Sequence, residues 1–245
     1  DGHQVMVDGR ERAPLAAHRD MYLDEHGDVV SRASIDGPLA AGIPGVPAAL
    51  AHIAQHYGRL PLDVSLAPAI ILARDGFPVD AVYRRMAGFR LAALRQSAAA
   101  SAQFLVGGEP PPLGHRLQQP DLADTLEAIA RDGAQAFYTG EVARRMVAGV
   151  RAHGGIWSSR DLQQYRVVER VPVVARYRGH RIVSASLPSS GGLVLTQILN
   201  MLEAHPLDGL NRADRVHLLA EMMRRGYADR ARYLGDSDFV RVPLA

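Results

Sequence analysis

The chain has no cysteine, which excludes thiol nucleophiles, zinc–thiolate sites and disulfides within it. It has no lysine either, since all 28 basic residues are arginines. Without lysine there is no Schiff-base amine, no pyridoxal-phosphate anchor and no Gly-Lys-Ser/Thr phosphate-binding loop. We attribute the missing lysine mainly to genomic base composition, and the missing cysteine leaves the redox compartment open.

Long apolar runs and an excess of charge are also missing. No run approaches the roughly 18 apolar residues of a membrane-spanning helix. The 28 basic and 26 acidic residues leave a net charge of +2, which gives no electrostatic case for binding nucleic acid or an anionic membrane. We expect no signal peptide in this chain, because no charged start is followed by an apolar stretch.

Threonine is scarce, and this matters for nucleophile assignment. Thr125, Thr139 and Thr196 are the only three in the sequence. Thr125 and Thr196 fall inside predicted helices, and Thr139 falls in a turn before Gly140. None of them is in the context of an amino-terminal threonine nucleophile. We predict no catalytic residue in this chain.

A metal or cofactor site is not expected. His52 and His56 are four residues apart on a predicted helix, which is metal-ligand spacing, but no glutamate follows His52 and no third ligand is evident. Solvated histidines are the better interpretation. Asp236-Ser-Asp238 lacks the glycine and the terminal glutamate of a calcium loop.

The periodicity of the apolar residues predicts a helix-rich α+β fold in a single domain over residues 1–245. An amphipathic pattern begins at Val46, and in the last long helix we expect Val216, Leu219, Met223 and Tyr227 to be buried. Further helices are predicted over Pro61 to Arg74, Asp80 to Ala99, Glu141 to His153, Leu193 to Ala204 and Ala213 to Tyr233, with another starting at Ser158. Strands are predicted at Gln4 to Val7 and as a pair within Val171 to Ser184, joined at Arg178-Gly179-His180.

Arg10 is the strongest binding candidate. The Gln4–Val7 strand is broken at Asp8-Gly9, and Pro14 disfavours helix just before it, so Arg10 is expected on a strand-exit loop. A guanidinium on such a loop offers two parallel donors to a carboxylate. The competing interpretation is an exposed ion pair with Glu11, which would contribute little. We treat Arg12 as a solvated neighbour.

Pro188-Ser-Ser-Gly-Gly192 suggests a serine nucleophile at first sight. No Gly-x-Ser-x-Gly elbow surrounds Ser189 or Ser190, so a structural role is favoured. We expect the two serines to cap a helix that starts near Gly192. We expect Gly191 and Gly192 to allow close approach of backbones.

Several motifs occur in an order that resembles the large-subunit half of the γ-glutamyltranspeptidases (glutathione hydrolases). The first is Asp8-Gly-Arg-Glu-Arg-Ala-Pro14, the second is Pro188-Ser-Ser-Gly-Gly192, and the third is Tyr227 to Ala245, with a helix into Tyr233-Leu234, a turn at Gly235-Asp236 and an extended Asp238 to Pro243. Shorter matching motifs are Ala41-Gly-Ile-Pro-Gly-Val46, Tyr57-Gly-x-Leu-Pro61, Leu72-Ala-Arg-Asp-Gly-Phe77, Phe137-Tyr-x-Gly140 and Gly154-Gly-x-Trp-Ser-Ser-Arg-Asp-Leu162.

The resemblance implies an αββα N-terminal-nucleophile hydrolase, of which this chain would be the helix-rich large-subunit part, truncated at both ends and inactive alone. It implies that Arg10 holds the α-carboxylate of a γ-glutamyl donor such as glutathione, beside the structural motif residues Glu11, Pro188, Ser189, Ser190, Gly191 and Gly192. A small subunit released by self-cleavage would supply the amino-terminal threonine, and the γ-glutamyl group would pass to water, amino acids or peptides. The family further implies a periplasmic or secreted location.

Two alternatives stay open. A related acylase for glutaryl or polyglutamyl substrates would keep the same carboxylate-binding arginine. A non-catalytic, truncated module would also explain a chain that contains no amino-terminal threonine.

Overall fold

A computed structural model describes residues 2–243. The α-helices of this range are α1 (Val46–His56), α2 (Leu62–Asp75), α3 (Ala81–Phe89), α4 (Leu91–Gln96), α5 (Ala98–Phe104), α6 (Pro120–Asp132), α7 (Gln135–Tyr138), α8 (Gly140–Ala152), α9 (Ser159–Gln163), α10 (Gly191–Glu203) and α11 (Arg212–Tyr233). The strands are β1 (Met6–Asp8), β2 (Phe77–Pro78), β3 (Arg116–Leu117), β4 (Val168–Arg170), β5 (Val173–Tyr177) and β6 (His180–Ser184).

The chain divides into two compact units, which are described separately. The central unit is Gly9–Val167. The terminal unit comprises Asp1–Asp8 and Val168–Ala245, of which residues 2–8 and 168–243 are described. The chain passes from the terminal to the central unit between Asp8 and Gly9.

The central unit is built from helices α1 to α9. Helices α2 and α6 pack along each other, and the two-residue strands β2 and β3 pair antiparallel beside them, with Phe77 opposite Leu117. The buried core gathers apolar and aromatic side chains from α7, α8, α9 and the segments around them: Ile43, Tyr138, Ala143, Val147, Trp157, Leu162 and Tyr165. This core therefore lies directly under the segment that follows Gly9, because Ile43 forms a β-bridge with Arg12.

The terminal unit combines two small antiparallel sheets with two long helices. Strand β1 pairs with β4, with Met6 opposite Arg170, and β5 forms a hairpin with β6. Arg178 and Gly179, which connect the hairpin, both have positive φ (47° and 82°), as a two-residue turn that matches the twist of its strands requires. Helix α10 packs against α11.

Most predicted elements are present, including the hairpin, the helix that begins at Val46 and the first strand, which spans Met6–Asp8 where Gln4 to Val7 was predicted. The α+β class is confirmed, with every sheet in the described range two-stranded. The Asp80 to Ala99 region contains three short helices, because the chain leaves helical geometry at Arg90 and again at Ser97. The Ser97 side chain caps the third helix through Ala100 N (3.2 Å).

The predicted buried face of the last helix is wrong. Val216 is 58% exposed, Met223 47% and Tyr227 54%, and Leu219 is also exposed. The buried positions of α11 are instead Met222 and Gly226, four residues apart. Gly226 allows α11 to approach α10, because a Cβ there would stand 3.1 Å from a side-chain carbon of Ile198. The packing stripe is therefore displaced around the helix from the predicted one.

The predicted extended segment after Gly235 is also wrong over its first residues. Phe239 N and Val240 N both donate to Asp236 O, at 3.0 and 2.9 Å, which closes a turn. Residues 244 and 245, at the end of the motif that starts at Tyr227, lie outside the described residues. Within residues 2–243 no helix combines the length and the apolar character needed to cross a bilayer.

Candidate functional site

Arg10 follows strand β1 by two residues, on the strand-exit loop expected for it. Its side chain is 56% exposed, and its Nε lies 3.7 Å from Glu11 Oε1. An exposed ion pair this long stabilises the fold very little. The guanidinium is thus accessible from outside the central unit.

The main chain of Arg10 is held by a buried residue. The hydroxyl of Tyr165 donates a hydrogen bond of 2.8 Å to the Arg10 carbonyl. Two residues further on, Arg12 N donates to Ile43 O (3.1 Å), and Ile43 N donates back to Arg12 O (2.7 Å). Arg12, which we expected to be only solvated, lies with its guanidinium carbon 5.6 Å from the centre of the Tyr165 ring, as in a cation–π contact.

Two glycines allow this arrangement. A Cβ on Gly45 would stand 1.9 Å from the Tyr165 hydroxyl oxygen and 2.2 Å from Gly9 O. A Cβ on Gly9 would stand 2.3 Å from the Cβ of Ala49 at the start of α1. The backbones of the Arg10 loop and of the Ala41–Val46 motif therefore touch, and no side chain fits between them.

Tyr138 contacts both Tyr165 and the segment around Gly45. Its ring stacks on that of Tyr165, with centroids 5.4 Å apart and planes 13° apart. Its hydroxyl donates to Pro44 O (2.7 Å) and accepts from Ala48 N (3.3 Å). Burial raises the pKa of Tyr138, so the phenol remains a hydrogen-bond donor at neutral and alkaline pH.

Two residues of the Gly154–Leu162 motif complete the support. Trp157 Nε1 donates to Ala41 O at 2.9 Å. Asp161 forms a capping box with Ser158, at the helix start predicted there, and also accepts a 2.5 Å bond from Leu15 N, five residues after Arg10. Burial alone would raise the pKa of Asp161, but the hydrogen bonds from Ser158 and Leu15 outweigh it and lower the pKa.

We call Ile43, Gly45, Tyr138, Trp157 and Tyr165 the Arg10 support cluster. Three of its members donate from a side chain to a main-chain carbonyl, and each bond joins segments at least 94 residues apart. Four sequence motifs therefore meet in the central unit around the loop that carries Arg10. Tyr165 lies outside all of them, and no motif in the sequence points to it.

The Pro188–Gly192 motif lies in the terminal unit, and the predicted serine caps are wrong. Ser190 occupies the position before α10 in helical geometry (φ −80°, ψ −17°), where no cap bond from its side chain forms. Its hydroxyl instead accepts a 2.9 Å bond from Arg230 Nε. Ser189 donates its main-chain N–H to Ser186 O (3.0 Å).

The two glycines of that motif differ. A Cβ on Gly192 would stand 2.4 Å from Ala185 O, so the predicted close approach of backbones is confirmed there. At Gly191 the nearest atom is Ser189 Oγ at 4.0 Å, so the same prediction is wrong for that residue. Pro188 follows a cis peptide bond from Leu187.

The histidine pair forms no metal site in the described part of the chain. His52 and His56 stack with ring centroids 4.2 Å apart, and His56 Nδ1 lies 2.9 Å from His52 O. Across residues 2–243 no group of three histidine, aspartate or glutamate side chains is arranged to hold a metal ion.

An unpredicted charge cluster lies in the terminal unit. Arg170 Nε is 2.7 Å from Asp8 Oδ2, and its Nη2 is 2.7 Å from Asp238 Oδ2. Arg170 and Asp8 have side-chain exposures of only 15% and 8%. The hydrogen bonds to Asp238 and then to Asp8 raise the pKa of Arg170, so its guanidinium stays charged.

The family model described as gamma-glutamyltranspeptidase matches residues 1–245. The glutathione hydrolase proenzyme of Pseudomonas sp. (strain A14) is 43% identical over 100% of this chain and 43% of its own length. The acylase ACY 1 proenzyme of Pseudomonas sp. (strain V22) is 37% identical over 100% of this chain and 45% of its own length.

Among solved structures, the γ-glutamyltranspeptidase of Helicobacter pylori is similar over 99% of this chain and 70% of its own, with a TM-score of 0.96 and 40% identity. The chain spans less than half the length of the curated relatives named above, both of which are proenzymes. The match over all residues and the close agreement of the folds lead to one assignment. The chain belongs to the γ-glutamyltranspeptidase family.

Proposed function

We propose that this chain is the large-subunit portion of a γ-glutamyltransferase and glutathione hydrolase, and that Arg10 binds the α-carboxylate of the γ-glutamyl donor. The observation that carries the proposal is an accessible guanidinium on a main chain held by buried side chains. A carboxylate suits such a site, because the guanidinium presents two parallel N–H donors in a fixed plane.

The reaction divides between two polypeptides. A small subunit brings an amino-terminal threonine, whose hydroxyl attacks the γ-glutamyl amide while its own α-amine accepts the proton. The amine of the donor leaves with that proton, and the γ-glutamyl ester on the threonine is then attacked by water, an amino acid or a peptide. The role of the present chain is to hold the donor by its carboxylate, so that the amide carbon lies near the attacking oxygen. We place the enzyme in the periplasm or outside the cell.

The direct test is Arg10→Ala in the assembled two-subunit enzyme. Two donors are compared: γ-glutamyl-4-nitroanilide, which carries the α-carboxylate, and 4-aminobutyryl-4-nitroanilide, which lacks it. Removing the guanidinium costs about 2–4 kcal/mol of binding, so KM for the first donor rises roughly 30- to 800-fold. KM for the second donor stays within about twofold. Arg224→Ala is the matched control, because Arg224 forms an exposed pair with Glu221 in the same helix.

If Arg10→Ala leaves KM for γ-glutamyl-4-nitroanilide within twofold of the parent, the carboxylate-binding role is wrong. The two-subunit arrangement has its own test in the intact mass and amino-terminal sequence of the purified protein. A second polypeptide that begins with threonine supports it, and a lone 26.5 kDa species without hydrolytic activity supports a non-catalytic module.

An acylase is the second candidate, favoured by the 37% identity to the acylase ACY 1 proenzyme. A glutaryl group keeps the terminal carboxylate of a γ-glutamyl group and lacks its α-amine, so Arg10 would serve both substrates. The ratio of kcat/KM for glutaryl-4-nitroanilide and γ-glutamyl-4-nitroanilide separates the two functions. A γ-glutamyltransferase prefers the second donor, and an acylase prefers the first.

A further inference from the structure

Tyr165 is hydrogen-bonded to the residue whose side chain is proposed to hold the substrate. We propose that Tyr165 is a positioning residue, which sets the affinity for carboxylate-bearing donors by holding the Arg10 carbonyl. This inference rests on the proposed carboxylate-binding role of Arg10. It adds a second residue, 155 positions away in sequence, on which that role depends.

The hydroxyl of Tyr165 has little freedom. It lies 2.8 Å from Arg10 O, and it fills the space beside Gly45 where a Cβ would stand. The side chain is nearly buried, with 6% exposure of the residue. The bond therefore forms in a place where water competes poorly for the carbonyl.

The ring that carries this hydroxyl is fixed as well. It is stacked on Tyr138, whose own hydroxyl is bonded to Pro44 O and Ala48 N, and it has the Arg12 guanidinium over it. The position of the Tyr165 hydroxyl is thus set by core packing and is independent of any substrate. A binding group is most effective when neighbouring residues already hold its backbone in the productive geometry.

Arg10 needs such support because its side chain is long and 56% exposed. The Arg12–Ile43 bridge fixes the loop on one side of Arg10, and the Tyr165 bond fixes Arg10 itself. Without the hydroxyl, the Arg10 peptide gains conformations in which the guanidinium points away from the donor. Occupancy of the productive geometry falls, and the affinity for the carboxylate falls with it.

The test is Tyr165→Phe in the assembled enzyme, which removes one oxygen and keeps the ring. KM for γ-glutamyl-4-nitroanilide is expected to rise about fivefold, the effect of one neutral hydrogen bond, with kcat unchanged. KM for 4-aminobutyryl-4-nitroanilide is expected to stay within about 1.5-fold, because that donor has no carboxylate for Arg10. Thermal unfolding confirms that the variant is folded. Substitution of a residue with only a structural role would instead change KM for both donors by the same factor.

Tyr83→Phe is the matched control. Tyr83 also donates its hydroxyl to a main-chain carbonyl, that of Phe104 at 3.1 Å, but in the α3–α5 region. Loss of this hydroxyl is expected to lower the free energy of unfolding and to leave the ratio of KM for the two donors unchanged. If Tyr83→Phe and Tyr165→Phe change the KM ratio of the donors equally, the positioning role is overturned.

A double-mutant cycle separates this inference from the proposed function. In an Arg10→Ala background, Tyr165→Phe is expected to have no further effect on the KM ratio, since the group it positions is gone. An undiminished effect in that background, or no effect in the parent, overturns the positioning role while Arg10→Ala alone still shows carboxylate binding. If Arg10→Ala itself leaves the KM ratio unchanged, the proposed function fails first and the inference fails with it.

Discussion

The hydroxyl oxygen of Tyr165 lies 1.9 Å from the point where a Cβ on Gly45 would stand. The two residues are 120 positions apart, and each limits what the other can be. A side chain at position 45 would displace the phenol, and with it the bond to the Arg10 carbonyl. The Ala41–Val46 motif therefore contributes to the site through the absence of a side chain.

Gly45→Ala is the first prediction. The added methyl meets Tyr165 and Gly9 O at impossible distances, so the free energy of unfolding is expected to fall by about 1–3 kcal/mol. Denaturant unfolding measures this loss. Gly149→Ala is the control, since a Cβ in that helix interior meets no atom within 4 Å and is expected to stabilise by about 0.5–1 kcal/mol. Equal effects of the two substitutions would contradict the packing argument.

Asp161→Asn is the second prediction, and it depends on pH. The pKa of Asp161 is lowered in the folded state from its ordinary 3.8. Its stabilising contribution is thus present above that value and is lost as pH falls through the folded pKa. At neutral pH the substitution is expected to cost about 1–3 kcal/mol of unfolding free energy, because the amide cannot accept both the Ser158 and Leu15 bonds as well as a carboxylate does.

The cost of Asp161→Asn should shrink as the pH falls below 3.8 and on through the lower pKa that the carboxyl has in the folded protein. Asp20→Asn serves as the control, because Asp20 forms only an exposed pair with the neighbouring Arg19. A cost for Asp161→Asn that is independent of pH would show that the charge does not contribute.

Arg170→Met is the third prediction. It leaves the buried carboxylate of Asp8 without its guanidinium, and breaking a buried pair in this way costs about 3–5 kcal/mol. Arg224→Met removes an exposed arginine from its pair with Glu221 and is expected to cost less than about 1 kcal/mol. Chemical denaturation of both variants gives the comparison. A cost for Arg170→Met as small as that of the control would contradict the burial of the cluster.

Gly192→Ala and Gly191→Ala form the fourth prediction, on adjacent residues of one motif. A methyl on Gly192 would collide with Ala185 O at 2.4 Å, so we expect a loss of about 1–3 kcal/mol in unfolding free energy. At Gly191 there is space, so alanine should be neutral or stabilise by up to about 1 kcal/mol. A melting temperature of Gly192→Ala above that of Gly191→Ala would contradict this interpretation of the motif.

Local patterns in the sequence predicted local structure well. Ser158 and Asp161 form their capping box because both partners lie within one turn, and Arg178-Gly179 closes its hairpin for the same reason. Ser190 was assigned a capping role for its residue type, but its hydroxyl accepts a hydrogen bond from Arg230, 40 residues away. The partner of the Ser190 hydroxyl is therefore set by tertiary packing, which no local sequence pattern predicts.

The same limit applies to helix faces and to the site. The periodicity of α11 defines an apolar stripe, yet packing against α10 uses Met222 and Gly226, because a glycine lets the two helices approach. The strand-exit loop of Arg10 was predictable from neighbouring residues. The bond from Tyr165 was not, since it joins residues separated by most of the central unit.

Trp157 is the one tryptophan in the sequence, and its indole N–H is bonded to Ala41 O within the Arg10 support cluster. The one strong fluorophore of the sequence is therefore buried in the core that supports Arg10, with 5% of its surface exposed. Loosening of the loop that carries Arg10 would expose the indole to water and move its emission to longer wavelength. Any variant described above can be sorted optically, without substrate, by whether it disturbs that indole.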